Sequence, residues 1–509
     1  MDNSKTFLLK GVYSSRIYLK QENARLQWLL GRIAEPLQAF SHYLGYSKSF
    51  QNECDYAFKL LLQNHAHDGI YGCSTDEVHR EMMTRFAKVK SIANSIIKTV
   101  QRDCSAKKGI SIINLSNFAY TGVVKILTTE KIRNAQLLKT KKGFADQKIY
   151  DIDDVPITED IVDINEYLVE VENVAPFSIC PLEKCLSKKV STLKINKNEI
   201  ENDFISLKIN NEKIEIFDKK NNKYYKDFLS LVDCQDVGDS YNFAPLKNDF
   251  DQIAKLIKTQ IIQKGKIQSI LRIFYEIKIG EKKKKHVLKL DVILQNNSEF
   301  IDFHLNWINF SKNHRLQLKI NLPQKVSTVK SEDTCGVITR HFDADYDMKN
   351  FLPAPRGVEL KTNSAPFQRF VTTEGVGVLT EGLHEYEVEK SSLKITLLRA
   401  TGVISTPKNP TRGTPAGPPI EVSELQCLGK CKAHFGICFA KNDIDLFKNT
   451  ESFFNPVLPI FSEIEKTFFK EKRNEQFFIH SIKLNSKCQL VAQGVDFKND
   501  YEIYDIYEK

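Results

Sequence analysis

Apolar residues in the first hundred positions recur at steps of three, four or seven. Leu19, Leu26, Leu30, Ile33, Leu37, Phe40 and Leu44 share one face of a helix running from Ile17 to Leu44. Pro36 offers no amide hydrogen to the preceding turn and predicts a kink there. A second stripe, Phe50, Cys54, Phe58, Leu61 and Leu62, predicts a helix that begins after Ser47. It runs into NHAHDGIYG, whose glycines should end it. The third helix opens on a capping-box pattern from Ser74 to Glu77 and continues through Val78, Met82, Phe86, Val89, Ala93, Ile96 and Val100. Three amphipathic helices on short links predict a three-helix bundle over residues 1–107.

From Gly109 onward the period changes to two. ISIINLS, TGVVKIL, YLVEVENV, FISLKINNEKIEIFD, ILRIFYEIKI, HVLKLDVIL, FIDFHLNWINF and LQLKINL are short, alternating and bounded by Asn, Lys and Gly. No helical pattern alternates with them, so a doubly wound parallel sheet is not expected. The fold class read from the pattern is α+β and multidomain: a three-helix bundle followed by large antiparallel β-sandwiches. Expected boundaries are a small sandwich over 108–190, a large one over 191–430, and a further β segment over 431–509. The stretch from Pro181 to Asn198 would link the two sandwiches. Residues 407–419, PKNPTRGTPAGPP, carry five prolines and two glycines, a rigid loop that something else must hold in place.

Composition narrows the class. Hydrophobic residues at 41% and charged ones at 27% are those of a globular chain. No apolar run is long enough to span a bilayer, and the first residues have no secretory pattern. Eleven cysteines, scattered and odd in number, predict reduced thiols and a cytoplasmic setting. A net charge of +9 is dilute over 509 residues. Its densest run, Lys282 to Lys285, lies between two alternating segments and reads as a solvated hairpin tip. Neither nucleic acid nor membrane is an expected partner.

Candidate chemistry concentrates at Asn64-His65-Ala66-His67-Asp68. Two histidines and a carboxylate before a glycine-punctuated turn can ligate zinc or hold a hydroxyl. On spacing alone, a histidine pair capping a helix end is the better reading. Asp343, Asp345 and Asp347 resemble the start of a calcium loop, but Met348 and Ala354 stand where glycine and glutamate are needed, which leaves a solvated acidic turn. Cys427, Cys431, His434 and Cys438 have no standard finger spacing and read as thiols of a strand. His79, His304, His314, His384 and His480 stand isolated and read as structural.

NHAHDGIYGCSTDEVHREMMTRF resembles the central helical segment of the bacterial α-mannosidases of glycoside hydrolase family 38, nearest their mannosylglycerate-hydrolase branch. GVYSSRIYLKQENARLQWLLGRIAEPL before it, and DVGDSYNFAPL, NHRLQLKINLP, LPAPRGVELKTNSAPFQRFV, LTEGLHEYEV and TLLRATGVIS after it, follow in the family's order. The resemblance implies a retaining, zinc-dependent glycosidase. In that family one zinc ion is held by a His-x-Asp pair, an aspartate nucleophile and a histidine of the helix bundle. By matching position that histidine is His67. Asp68 would bond sugar hydroxyls beside the metal, Tyr241 would reach the sugar from the β-region, and Arg399 would stand near the same pocket.

The resemblance also implies a departure. The family's His-x-Asp pair, nucleophile and acid lie in an α/β domain preceding the bundle, and this sequence begins at the lead into the bundle. The His-x-Asp found here, His341-Phe342-Asp343, is out of place. YEIYDIYEK stops where the family continues. No catalytic residue is therefore expected in this chain, and zinc would find one ligand in it. Expected partners are an α-mannoside, a separate chain bearing the α/β domain, and further copies of this chain in a homo-oligomer. Half of a split enzyme, an inactive remnant, and a non-catalytic carbohydrate-binding or assembly module all remain open.

Overall fold

The computed structural model describes residues 8–104, 109–144, 161–334 and 336–461. Beyond these it describes the backbone of strands Lys466–Thr467, Phe477–Leu484, Leu490–Asp496 and Glu502–Asp505. The side chain of His480 and the expectations at the chain's last residues lie outside this description.

The helical part has five segments: α1 (Ile17–Trp28), α2 (Glu35–Tyr43), α3 (Gln51–Gln63), α4 (His67–Tyr71) and α5 (Asp76–Asp103). The apolar faces read from the sequence form one core. Leu19, Leu26, Leu30, Ile33 and Leu37 meet Cys54, Ala57 and Leu61 and a stripe of α5 from Met82 to Val100. Each fully buried Leu, Ile, Phe or Val there contributes about 1.5–3 kcal/mol. Pro36 sits at the start of α2, and the irregularity falls just before it, in a π-helical turn at Leu29–Ala34. The proline ring clashes with the carbonyl four residues back, Arg32, so the backbone widens there. The third helix also starts differently from expectation. Its N-cap residue is Thr75, one position after Ser74, and Asp76 turns away to pair with Arg16 at 2.6 Å.

Two large antiparallel sheets enclose the main core. The first has nine strands, in the order Lys255–Gln263, Gln268–Ile279, Lys284–Gln295, Phe300–Asn309, Gly429–Cys438, Val376–Thr380, Phe370–Thr373, Thr328–Asp333 and Gly336–His341. The second has six, with Leu229–Gln235, His314–Asn321 and Ser392–Ala400 adjacent near its middle. Alternation places Leu271, Ile273, Tyr275, Ile301, Phe303, Leu316, Leu318 and Phe435 in one cluster between them. Lys282 and Lys283 lie in the exposed turn joining two strands of the nine-stranded sheet, as the pattern predicts.

The expected boundary at 430/431 falls inside Gly429–Cys438. This strand pairs along its whole length with Phe300–Asn309, so it belongs to the large sandwich. Strand Val457–Ile460 returns further, to pair with Ser111–Asn114 of the small β-domain. The bundle packs closely on the large sandwich. Gly382, at φ +76°, backs onto α1 so tightly that a Cβ would lie 2.3 Å from the Gln21 Cα.

Candidate active-site face

His67 and Asp68 occupy the first turn of α4, and that helix is anchored before, after and beneath. Before it, the buried amide of Asn64 donates to the Met82 carbonyl (3.0 Å) and accepts from Arg85 (3.1 Å). After it, Gly72 at φ +77° closes the helix, with the Cys73 amide bonding the Asp68 carbonyl at 3.0 Å. Buried Arg16 then spans the loop, reaching the carbonyls of Gly72 and Ser74 (both 3.4 Å) and the carboxylate of Asp76. Burial alone would raise the Asp76 carboxyl. Arg16 and the amide of Glu424 outweigh it and hold the group below the usual range. Under α4, burial and the nearby charge of Arg16 push His79 down to about 4, so the ring is neutral.

The rings of the histidine pair part company. His65 Nε2 lies 2.7 Å from Asn23 Oδ1 and donates to it, and burial lowers its pKa. His67 is 83% exposed, with Nε2 3.5 Å from an oxygen of the half-exposed Asp68. His65 is thus the structural member of the pair, and His67 presents a free imidazole edge to solvent.

Tyr241 arrives from the loop after Leu229–Gln235, which is wound around two buried carboxylates. Asp236 accepts from the amides of Gly238 (2.8 Å) and Ala244 (3.0 Å). Asp239 accepts from Tyr241 (3.1 Å), Asn242 (3.0 Å) and Thr406 (2.9 Å). Burial, then the proximity of Cys73 and Asp68, push the Tyr241 phenol up to about 12, so it stays protonated and able to donate. Gly417 leaves room for the ring: a Cβ there would stand 2.9 Å from the Tyr241 hydroxyl. The proline-rich loop is held by Arg412, buried and paired with Asp239 at 2.6 Å. The clamp that loop required is therefore an ion pair shared with the Tyr241 loop.

Arg399 lies behind this face. It is 1% exposed, its Nε donates to Asp236 at 2.8 Å, and its Nη1 lies against Gly11. In this arrangement it holds the carboxylate that shapes the Tyr241 loop and does not reach solvent. Tyr241 comes close enough to the His67–Asp68 turn for the Asp68 charge to act on its phenol, and Arg399 is buried. A separate cleft of about 310 Å³, lined by residues that include Trp28, Arg32, Arg369 and Phe454, contains none of the four.

Two segments match known domains: residues 8–103 the "Alpha mannosidase middle domain" and residues 200–403 the "Glycosyl hydrolases family 38 C-terminal domain". The chain belongs to glycosyl hydrolase family 38. A protein of Halalkalibacterium halodurans provisionally named mannosylglycerate hydrolase is 24% identical over 515 aligned residues, 85% of this chain and 54% of the relative. Two solved structures share the fold at 21% identity and a TM-score of 0.75. One is an α-mannosidase from Enterococcus faecalis V583, matched over 96% of this chain and 63% of that one. The other is a family 38 protein from Enterococcus faecalis, matched over 98% and 66%. This family 38 chain thus spans about half the length of the curated relative it matches.

Donor groups for a metal are few. Among the described residues, three or more His, Cys, Asp or Glu side chains converge at one place, Asp302, His304 and His434. His67 and Asp68 offer two donors and do not complete a set. The acidic turn at Asp343–Asp347 is engaged otherwise, with Asp345 paired to Lys325 at 2.8 Å. The cysteine candidates separate. Cys431 and His434 are three apart on one strand and face opposite ways, and Cys438 is four residues further, about 13 Å along it. In the sequence His304 stands isolated and His434 falls among the cysteines. The signal that could have joined them to a donor set is the Asp-x-His alternation at 302 and 304, which puts both side chains on one strand face. No helix of the described residues is long and apolar enough to cross a membrane.

Proposed function

We propose that this family 38 chain forms the helical and β-sandwich side of a retaining, zinc-dependent α-mannosidase site. In this reading His67 is a metal ligand, and Asp68 and Tyr241 bond sugar hydroxyls. The observation that carries it is the exposed His67–Asp68 pair on an anchored helix, beside a phenol held protonated. A bound zinc ion would supply Lewis-acid contacts to the sugar hydroxyls. Among the described residues the donors at this site are chemically suited to zinc but too few, so in this reading the others, with the nucleophile and acid, would come from elsewhere. They would stand on further sequence of the same polypeptide or on a second chain. The roles of this chain's residues are then to orient the sugar and to fix one coordination position. Leaving-group contacts fall largely outside it, so the choice of mannoside is not set here.

The test is reconstitution. The chain alone should turn over no aryl α-mannoside, and together with the α/β region it should do so in a zinc-dependent way. His67→Ala should lower that activity roughly a hundred-fold or more, while Arg399→Lys should act through stability. Turnover unaffected by His67→Ala refutes the ligand assignment. Mannose binding by the chain alone, with no turnover on reconstitution, favours a carbohydrate-binding module instead.

A further inference from the structure

We propose that Asp302, His304 and His434 form a binding site for a divalent transition ion of the zinc class, on the outer face of the nine-stranded sheet. It is separate from His67 and does not depend on the α-mannosidase reading.

Strand register builds the cluster. Strands Phe300–Asn309 and Gly429–Cys438 run antiparallel with His304 directly opposite His434, which puts the two β-carbons about 5 Å apart. Asp302, two residues before His304, points to the same side. The inward neighbours Ile301, Phe303, Leu305, Ala433 and Phe435 are all in the core, so the three donors are left facing out. One ligand atom from each lies within 4.8 Å of the others. His434 Nε2 is 2.9 Å from one oxygen of Asp302, and His304 Nε2 is 3.5 Å from the other. Zinc with bonds of about 2.0–2.2 Å in tetrahedral geometry needs donors about 3.3 Å apart. The half-exposed His304 ring can make the remaining adjustment by side-chain rotation.

The surroundings also suit ligation. The Glu381 carboxylate stands 3.0 Å from His434 Nδ1, and the Glu381 amide bonds the His434 carbonyl at 3.3 Å. A carboxylate on the far nitrogen fixes the tautomer that turns Nε2 toward a metal. Phe453 stacks on the His434 ring at 4.4 Å. It reaches there because Gly436, opposite Asp302, has no side chain: a Cβ would lie 3.0 Å from Phe453. Asp291, opposite His304, is committed to a two-pronged pair with Arg272 at 2.6 and 2.8 Å and is no fourth donor. Once both imidazoles are ligated and neutral, the two carboxylates balance a dication. Without metal, an imidazolium at His434 bridges Asp302 and Glu381 while His304 lies at the other Asp302 oxygen, so metal uptake is what separates the two states. Three protein donors with solvent-facing positions left open describe an exchangeable site.

Cobalt(II) titration of the metal-free, tag-free chain tests this through the visible d–d absorption, with zinc as competitor. One saturable cobalt per chain is expected, retained in His67→Ala and weakened at least tenfold in His304→Ala. Glu381→Gln should weaken it by about 10- to 100-fold. His304 is half-exposed, so its removal should shift the thermal melt little and decides the matter even where Asp302→Asn folds poorly. Absent or non-saturable uptake, or binding equal in His304→Ala and wild type, overturns the site. Loss of binding in His67→Ala alone would move the metal to the other face.

Discussion

Replacing Arg412 by alanine should release the proline-rich loop, and its contacts give the size of the effect. The Arg412 and Asp239 side chains are 1% and 0% exposed. The guanidinium reaches Asp239 at 2.6 Å, the Thr414 carbonyl at 2.7 Å, Ser405 Oγ at 3.2 Å and the side-chain oxygen of Asn242. Breaking a buried pair costs about 3–5 kcal/mol, because it leaves the other charge buried. Here Asp239 keeps three backbone amides, from Tyr241, Asn242 and Thr406, so the cost belongs at the lower end, about 3 kcal/mol. The loss falls on the loop, and local opening is the quantity to measure. Lys408 is exposed in that loop, and trypsin cleavage after it follows the open population when reclosing is fast. A change of about 3 kcal/mol corresponds to roughly hundred-fold faster cleavage. Arg412→Lys should fall between, since it keeps the charge but loses the fork. Cleavage within tenfold of wild type in Arg412→Ala would refute the claim that this pair holds the loop.

Two further effects follow from the helical side. His79 titrates at about 4 in the folded chain against an ordinary 6.5. The unfolded chain therefore binds more protons between those values, and stability present above pH 6.5 is lost as pH falls toward 4, by about 3 kcal/mol in all. Urea midpoints at pH 7 and 5 should drop for wild type more than for His79→Leu; parallel drops would remove His79 as the cause. Gly72→Ala should destabilise by about 1–2 kcal/mol, since φ is +77° and the new Cβ meets Arg16 Cβ and Ser15 O at 3.2 Å. Gly45→Ala, at φ +76° with nothing within 4 Å, carries the strain alone and should cost less. Equal losses would show that the contact with Arg16 contributes nothing.

What was legible in the sequence divides by the range of the interactions involved. The α1, α3 and α5 stripes and the alternating strands could be read because helix and strand periods are local, and burial follows from them. The departures are decided by partners far away in sequence. Asp76 is drawn to Arg16, so the helix cap moves from Ser74 to Thr75. Strand Gly429–Cys438 looked like the start of a new segment because its partner, Phe300–Asn309, lies more than a hundred residues earlier. The same limit governs the sites. His67, Asp68 and Tyr241 are candidates by resemblance, and only the fold could show that Asp239 and Arg412 anchor the Tyr241 loop.

Arg399 illustrates the converse. A basic residue at a familiar position invited a ligand-binding role, yet a charge with 1% exposure and a carboxylate at 2.8 Å acts through what it holds. The Asp302, His304 and His434 cluster went unread for a stricter reason. Two of its donors were visible as an alternating pair, but a strand's partner and register cannot be read from the strand itself. A shift of one residue would turn His434 to the core and leave Asp302 and His304 as an ordinary surface pair. That register is fixed by Ala433, Phe435 and Ile437 pointing inward. The burial that stabilises the sandwich is therefore also what assembles the three donors.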